Sequence, residues 1–269
     1  MCRIVGIARS AYYKWLNRID SALDIENSRI LEEMIRLYTD VKGIYGYRRM
    51  TMNVSRIFNK QYNYKRIHRL MKSVNMQSVI RRKKKNYIPS TPLITAENVL
   101  NREFHADKSN QKWLNDVTEF KLVNGQKAYL SAILDLGDNS IVSYVLGHSN
   151  NNQLVFHTLD LATIANPSAK PLFHSDRGYQ YTSTQFKNKL DRIGATQSMS
   201  RVSRCIDNGP MEGFWGIIKC EMYYLQKYHT YEDLKKAVDE YMEFYNMRRL
   251  QKKLKGLAPL EFRNQTLIA

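Results

Sequence analysis

Residues 112–147 read KWLNDVTEFKLVNGQKAYLSAILDLGDNSIVSYVLG, and this stretch decides the fold prediction. It contains three segments that are rich in β-branched and aromatic residues, as β-strands are. The segments are 112–122, 128–136 and 141–147. Asn124-Gly125 lies between the first two, and Gly137-Asp138-Asn139 lies between the next two, and both are typical of hairpin turns. We therefore predict three consecutive antiparallel strands.

Helical and strand patterns alternate after this stretch. The predicted elements are a helix at 153–165, a strand at 170–174, a helix at 183–193, a strand at 195–200, and helices at 211–224 and 231–248. Hairpin strands followed by alternating helices and strands indicate an α/β fold, in which a mixed sheet is flanked by helices.

The charge of the chain is strongly uneven. The 269 residues carry 42 Lys and Arg against 25 Asp and Glu, a net charge of +17. Residues 1–92 hold 20 basic against 6 acidic residues (+14), and residues 93–269 hold 22 against 19 (+3). Such a positive segment indicates a polyanionic partner, with nucleic acid first and an anionic membrane second.

Two other features narrow these choices. No apolar run approaches the roughly 18 residues of a spanning helix, and the first residues lack a signal-peptide pattern, so we expect no membrane partner. The three cysteines, Cys2, Cys205 and Cys220, form no CxxC pair. We therefore expect neither a disulfide framework nor a zinc site. We expect a cytoplasmic location, where thiols stay reduced.

The basic segment has the spacing of three short amphipathic helices. Their apolar positions are Ile30, Met34, Leu37 and Tyr38; Met50, Val54, Ile57 and Phe58; and Ile67, Leu70, Met71 and Val74. The third helix carries Lys65, Arg66, Arg69 and Lys72 on its polar side, which is typical of an all-α helix-turn-helix-like module. A plain helical bundle with a solvated basic face is the alternative reading. Five consecutive basic residues, 81–85, followed by Pro89 and Pro92, then indicate a linker.

Three acidic residues stand out in the second segment. Asp116 lies inside an apolar strand pattern, Asp176 follows a strand, and Glu212 lies on a helix. Acids from such elements can meet at one edge of a sheet, where hard cations such as Mg²⁺ prefer oxygen ligands. Each acid also has a structural alternative, as a strand-end, turn or helix-dipole residue.

The motifs WLNDVTEF (113–120), HSDRGYQYTS (174–183) and DNGPMEGFWGIIK (207–219) resemble the DDE transposases and retroviral integrases. More narrowly, they are similar to the OrfB-type transposase of the IS-three (IS3) family of bacterial insertion sequences. The segments IYGYRRM and YKRIHRLMKSVNM resemble that family's helix-turn-helix, and YMEFYNMRRLQKKLKGLAPLEF resembles its C-terminal end. The likeness covers nearly the whole chain.

The resemblance implies an RNase H-like catalytic domain in which Asp116, Asp176 and Glu212 form a catalytic, metal-binding triad for Mg²⁺ or Mn²⁺, with two ions. Lys219 is similar to the family's basic residue that contacts terminal DNA. The implied reaction is DNA strand cleavage by water, followed by strand transfer, without a covalent enzyme intermediate. The other basic residues expected to contact DNA are Arg48, Arg49, Lys65, Arg66, Arg69, Arg81, Arg82, Lys83, Lys84 and Lys85.

These expectations give a domain plan. It consists of an N-terminal lead-in helix (1–25), a basic helix-turn-helix-like DNA-binding module (26–85), a linker (86–105), and the catalytic domain with a C-terminal helical extension (106–269). The expected partners are double-stranded DNA at the element ends and target, further copies of the chain on DNA, and the family's upstream-frame product. The expected location is the bacterial cytoplasm, in association with the nucleoid.

The chain departs from the family pattern at three positions. Asn115 stands where the family usually has threonine, and Ser203 and Arg204 stand where it usually has a Gly-Asn pair. Serine reaches some glycine backbone shapes only with strain. Two alternatives to a transposase therefore remain: a non-catalytic or decayed DNA-binding regulator of the element, and a nuclease of the same fold.

Overall fold

A computed structural model describes residues 2–4, 6–80, 100, 103–200 and 208–268, with side chains to residue 266. The chain divides into two compact units, Met1–Val79 and Ile80–Ala269. In the described ranges, no helix has the length and apolar character needed to cross a bilayer.

The first unit is helical. Its helices are α1 (Arg9–Leu16), α2 (Ala22–Asp40), α3 (Tyr47–Ile57) and α4 (Tyr64–Ser73). The core is formed by the leading positions of the three predicted apolar faces: Ile30, Met34, Met50, Val54, Ile67, Leu70 and Met71 are buried. Ile57 and Val74, near the ends of two of these faces, are 46% and 41% exposed because they lie at or beyond the helix ends.

Local signals set the ends of these helices. Ser21 and Asp24 form a reciprocal capping box at the start of α2, and the Asn63 side chain caps α4. The chain leaves α2 through Gly43, whose φ of +75° is readily reached only by glycine. Gly43 and Asn63 lie in the gaps between the predicted apolar faces, so two of the helix boundaries were marked in the sequence.

The second unit contains a five-stranded mixed sheet with the order β3-β2-β1-β4-β5. The strands are β1 (Lys112–Lys121), β2 (Lys127–Asp135), β3 (Ile141–Gly147), β4 (Leu172–Ser175) and β5 (Thr196–Met199). The first three are antiparallel, as predicted, whereas β4 and β5 run parallel to β1. The mixed sheet with flanking helices confirms the predicted fold class.

In the described part of this unit, five α-helices accompany the sheet. They are α5 (Asn152–Ala165), α6 (Thr184–Arg192), α7 (Gly209–Glu221), α8 (Tyr231–Met247) and α9 (Pro259–Ile268). The predicted helix 211–224 is shorter at its C-terminal end, where a separate 3₁₀ turn, Tyr223–Leu225, follows α7. The boundary shift does not affect the face that α7 buries.

Two apolar clusters surround the sheet. One joins Leu114, Leu130 and Leu134 of the sheet to residues of α7 and α8, including Phe214, Trp215 and Met242. The other joins Trp113, Ile133 and Phe173 to residues of α5 and α6, including Leu159, Phe186 and Leu190. Successive strand residues point to opposite faces, so Leu114 and Asp116 both point toward the α7 side.

Buried ion pairs fasten the helices that follow the sheet. Glu221 at the end of α7 accepts two hydrogen bonds from Arg249, both at 2.8 Å, and one from the Tyr241 hydroxyl at 2.9 Å. Arg263 on α9 bridges two fully buried acids, Asp135 at 2.7 Å and Asp138 at 2.5 Å. The Glu221–Arg249 pair holds the C-terminal end of α7. The pairs of Arg263 attach α9 to the end of β2.

Candidate active site

The pairing of β1 with β4 brings two of the predicted acids side by side. The strands are parallel, with Leu114 opposite His174. The same register, continued by two residues, places Asp116 opposite Asp176, which directly follows β4. Because neighbouring strands lie about 4.8 Å apart, both acids belong to one edge of the sheet.

The carboxylate of Asp116 is held at both oxygens. Oδ1 accepts a hydrogen bond from the backbone N–H of Val117 at 2.8 Å, and Oδ2 accepts one from Nε1 of Trp215 at 3.0 Å. Burial raises the pKa of Asp116 to about 6 although both hydrogen bonds lower it, and the negative charges of Asp176 and Glu212 raise it further. Asp116 therefore lies near enough to Asp176 and Glu212 to be repelled by both charges.

Glu212 approaches the same edge from the first turn of α7. Pro210 lies at the start of this helix, where its missing N–H is not needed. Just before it, the buried Asn208 donates a hydrogen bond to the backbone carbonyl of Asn115 at 3.4 Å. Asn208 and Trp215 thus attach α7 to β1 on either side of Glu212, whose pKa is raised by partial burial.

The donor set at this edge fits a hard divalent cation. Among the described His, Cys, Asp and Glu side chains, no three stand close enough to hold one ion as they are placed here. The three acids offer oxygen ligands only, and a bound cation would relieve the repulsion that contributes to the raised pKa of Asp116.

Lys219 lies two helical turns after Glu212 on α7. Its ammonium stands 5.7 Å from the centre of the Phe120 ring on β1. Partial burial lowers the pKa of Lys219, and the charges of Glu119 and Asp116 oppose that shift. A lysine held over β1 near the acids is suited to contact a phosphate bound at the same edge.

The departure at Asn115 is accommodated in the sheet. Asn115 is fully buried, and its amide donates to the Ala132 carbonyl at 2.7 Å and to Ser131 Oγ at 3.3 Å. The other two departures, Ser203 and Arg204, lie outside the described residues. His174, next to the acids, is also buried and interacts through both ring nitrogens with Ser198 and Ser200, which gives it a structural role.

The basic residues predicted to contact DNA differ in their surroundings. Arg48, Lys65 and Arg69 are exposed on the first unit. Arg66 is internal to that unit, because its guanidinium donates to Glu26 at 2.9 Å and to Asn27 at 2.7 Å. Arg49 is partly buried, with its guanidinium 5.5 Å from the centre of the Tyr45 ring. The run Arg81, Arg82, Lys83, Lys84 and Lys85 lies outside the described residues.

Sequence reasoning missed two residues of this edge. Trp215 orients Asp116, and its position one helical turn after Glu212 was a usable signal. Tyr181 is buried, and the negative charges of Asp116 and Asp176 act on its hydroxyl. Its position in the sequence gave no such signal, because the turn that carries it follows no regular spacing.

Family models match most of the chain. Residues 106–205 and 212–267 each match an integrase core domain model, and residues 26–84 match an HTH-like domain model.

Similar proteins are found among curated sequences. The chain is 42% identical over 270 residues to the putative transposase InsK for insertion sequence element IS150 of Escherichia coli K12, with coverage of 99% of this chain and 93% of that protein. It is 28% identical over 275 residues to transposase InsF for insertion sequence IS3A of the same organism, with coverage of 99% and 94%.

Among solved structures, the catalytic core domain of HTLV-2 integrase, solved in complex with magnesium, is 20% identical with a TM-score of 0.47. The likeness covers 58% of this chain and 97% of that one. The catalytic domain of Mos1 transposase, solved with raltegravir and Mg, is 18% identical with a TM-score of 0.42, over 49% and 71%.

Proposed function

We propose residue roles for this chain on one premise: the chain belongs to the IS3 family of insertion-sequence transposases and carries their integrase-type catalytic core. It is thus a transposase, a polynucleotidyl transferase that binds DNA. The proposal concerns which side chains hold the metal, which contact DNA, and how the chain is divided.

Asp116, Asp176 and Glu212 bind divalent metal, either Mg²⁺ or Mn²⁺. The proposed number of ions is two. The observation that supports this assignment is the parallel β1–β4 pairing, in which Leu114 lies opposite His174, two residues before each of the two aspartates. The influence of the Glu212 charge on Asp116 supports it. Bound metal supplies activation of the attacking oxygen and stabilisation of the leaving oxygen during phosphodiester displacement.

The reaction has two displacements at phosphorus. In the first, a water oxygen bonds to phosphorus at the element end, the bond to the 3′ oxygen breaks, and that oxygen takes a proton to become a 3′ hydroxyl. In the second, this hydroxyl loses its proton and bonds to a target phosphorus, while a target-strand oxygen leaves and is protonated. Trp215 keeps Asp116 oriented through both steps, and Lys219 contacts a phosphate of the terminal DNA.

The helical unit holds DNA through its exposed cations. Arg48, Lys65 and Arg69 are accessible to a phosphate backbone. Arg49 and Arg66 are also proposed to contact DNA. Each already interacts within the helical unit, Arg49 with Tyr45 and Arg66 with Glu26, so their main contribution is to stabilise that unit. The run 81–85 adds further positive charge next to this unit.

The proposed division of the chain is 1–25, 26–85, 86–105 and 106–269, with the acids in the last part. The proposed partners, beyond DNA itself, are other copies of this chain on DNA and the upstream-frame product or a fusion to it. The proposed location is the bacterial cytoplasm, in association with the nucleoid.

A strand-transfer assay on labelled oligonucleotides of the element ends tests the catalytic roles. Joined products are expected with Mg²⁺ or Mn²⁺, and they should disappear on chelation and in Asp176→Asn. Asp160→Asn is a charge-matched control, because Asp160 lies on α5 in an exposed pair with Lys189. Cleavage without joining would favour a nuclease. DNA binding without any product, from this chain or its frame-fused form, would favour a non-catalytic regulator.

A further inference from the structure

A buried tyrosine beside the acids carries a hydroxyl that has no assigned role. Tyr181 is 2% exposed, and its ring packs edge-on against Phe186 with the centroids 5.5 Å apart. Within the described part of the chain, the Tyr181 hydroxyl has no hydrogen-bond partner. Because buried hydroxyls in folded proteins are nearly always paired, this one indicates a partner that is engaged only in the working site.

The turn after β4 places this tyrosine against Asp176. The N–H of Gly178 donates to Asp176 Oδ1 at 2.9 Å, and the N–H of Tyr181 donates to the Gly178 carbonyl at 3.0 Å. A Cβ atom on Gly178 would lie 3.1 Å from Asp176 Oδ1 and 3.4 Å from Cδ2 of Tyr181. The carboxylate and the aromatic ring therefore border the same position, where the side-chain Oε1 of Gln180 also lies, 2.7 Å from the site of that Cβ.

The tyrosine is fixed in position and keeps its proton. Gln197 on β5 donates from its side chain to the Tyr181 carbonyl at 2.8 Å, which ties the turn to the sheet. Burial and the negative charges of Asp116 and Asp176 raise the pKa of Tyr181 well above its ordinary value. The hydroxyl is therefore a protonated donor on a turn that is tied to the sheet, and the charges of two carboxylates act on it.

The two carboxylates differ in their capacity to accept its hydrogen bond. Both oxygens of Asp116 already accept one, from Val117 and from Trp215. Asp176 accepts through Oδ1 from Gly178, and its Oδ2 accepts no hydrogen bond from the described residues. Asp176 Oδ2 is thus the better acceptor for a nearby phenol.

We propose that Tyr181 is a positioning residue of the active site: once metal is bound, its hydroxyl donates a hydrogen bond to Asp176 and sets the direction in which that carboxylate faces the metal ion. This inference rests on the proposed function, because it takes Asp176 to be a metal-binding residue. Hydrogen bonds of this kind to ligating groups commonly account for 10- to 100-fold in metal affinity. Tyr181 itself contacts neither metal nor DNA in this arrangement.

The test is a titration of the full chain with Mn²⁺ alone, followed by electron paramagnetic resonance. Tyr181→Phe removes only the hydroxyl, and we expect it to bind Mn²⁺ about tenfold more weakly than the wild type. Tyr228→Phe is the matched control: Tyr228 is 4% exposed, and its hydroxyl is paired with Gln226 and Met222. Its Mn²⁺ affinity should be that of the wild type.

Two further measurements separate the outcomes. Thermal unfolding in chelator should show that Tyr181→Phe is at least as stable as the wild type. The Mn²⁺ titration is made under conditions in which the near-ultraviolet circular dichroism of the variant matches that of the wild type. If Asp176→Asn loses Mn²⁺ binding and Tyr181→Phe retains wild-type affinity, the role of Tyr181 is overturned while the metal site stands. If the wild type and Asp176→Asn bind Mn²⁺ equally, the metal assignment itself fails.

Discussion

Replacement of Asp116 by asparagine should make the metal-free protein more stable. In the folded state, burial and the neighbouring acids raise the pKa of Asp116 from 3.8 to about 6. The folded protein therefore binds this proton more tightly than the unfolded chain does. The associated stability is fully present below pH 3.8 and is lost as the pH rises through about 6. At neutral pH the wild type bears the full cost of the charge, and Asp116→Asn does not.

The size of the gain follows from that shift. Each pKa unit corresponds to about 1.4 kcal/mol, so a shift of about two units sets a ceiling of about 3 kcal/mol. Solvent screening lowers this figure, because part of the surface of Asp116 is still accessible to water. The asparagine amide also cannot accept from both Val117 and Trp215, which costs about 1 kcal/mol. The expected net gain is about 1–2 kcal/mol, or roughly 2–8 °C in the unfolding midpoint.

Calorimetry of the full chain in chelator at pH 7.5 and pH 4.5 measures this gain. The midpoint of Asp116→Asn should exceed that of the wild type at pH 7.5, and the difference should shrink at pH 4.5. Added Mg²⁺ should then raise the midpoint of the wild type and not that of the variant, because a ligand stabilises the state that binds it. Glu240→Gln is the control, since its pair with Lys236 is 4.0 Å long and exposed.

The opposite pattern would refute the reasoning. If Asp116→Asn is less stable than the wild type at pH 7.5, the carboxylate contributes stability in the folded state and is not repelled there. A difference that grows as the pH falls would show that the sign of the pKa shift is wrong. Equal stabilisation of both proteins by Mg²⁺ would remove Asp116 from the metal site.

Three other outcomes follow from the structure. Arg249→Met leaves Glu221 charged and buried without its guanidinium partner. Urea unfolding should therefore show a free energy of unfolding lower by about 3–5 kcal/mol. A second change, Glu221→Leu, should restore most of that loss. Arg69→Ala removes an exposed cation, so the slope of log affinity for DNA against log salt should fall by about 1, and an unchanged slope would exclude a phosphate contact. Gly178→Ala puts a Cβ 2.7 Å from the side-chain Oε1 of Gln180 and 3.1 Å from Asp176 Oδ1, so both side chains must shift. Strand transfer should drop about tenfold with little change in the unfolding midpoint, whereas full activity would show that the two side chains move without effect on the site.

Some structural features were predictable because their signals are local. The hairpin strands of 112–147 follow from strand composition and from turns such as Asn124-Gly125, in which Gly125 has a φ of +86°. The helices of the basic segment follow from apolar spacing, and their buried positions are the predicted ones up to the last turn. Asp116 was noticed because a charge in an apolar strand pattern is unusual.

Other features depended on contacts between distant parts of the chain. Sequence spacing marked Arg66 as one of several cations on a polar helix face, but its bond to Glu26, forty residues away, makes it an internal residue. Trp215 and Asp116 are ninety-nine residues apart, and their hydrogen bond follows from the packing of α7 on the sheet. No local pattern encodes such pairs.

The sequence by itself determined the charge division and, through its long motifs, the family, and it predicted most of the elements and the three acids that we propose as metal-binding residues. The tertiary structure alone decided that β1 pairs with β4 in parallel, with Leu114 opposite His174, and that the charges of Asp116 and Asp176 act on the buried Tyr181. Periodicity reports which face of an element is buried, because that depends on neighbouring residues in the chain. The pairing of non-consecutive strands depends on how whole faces pack together, and that is decided only when the chain folds.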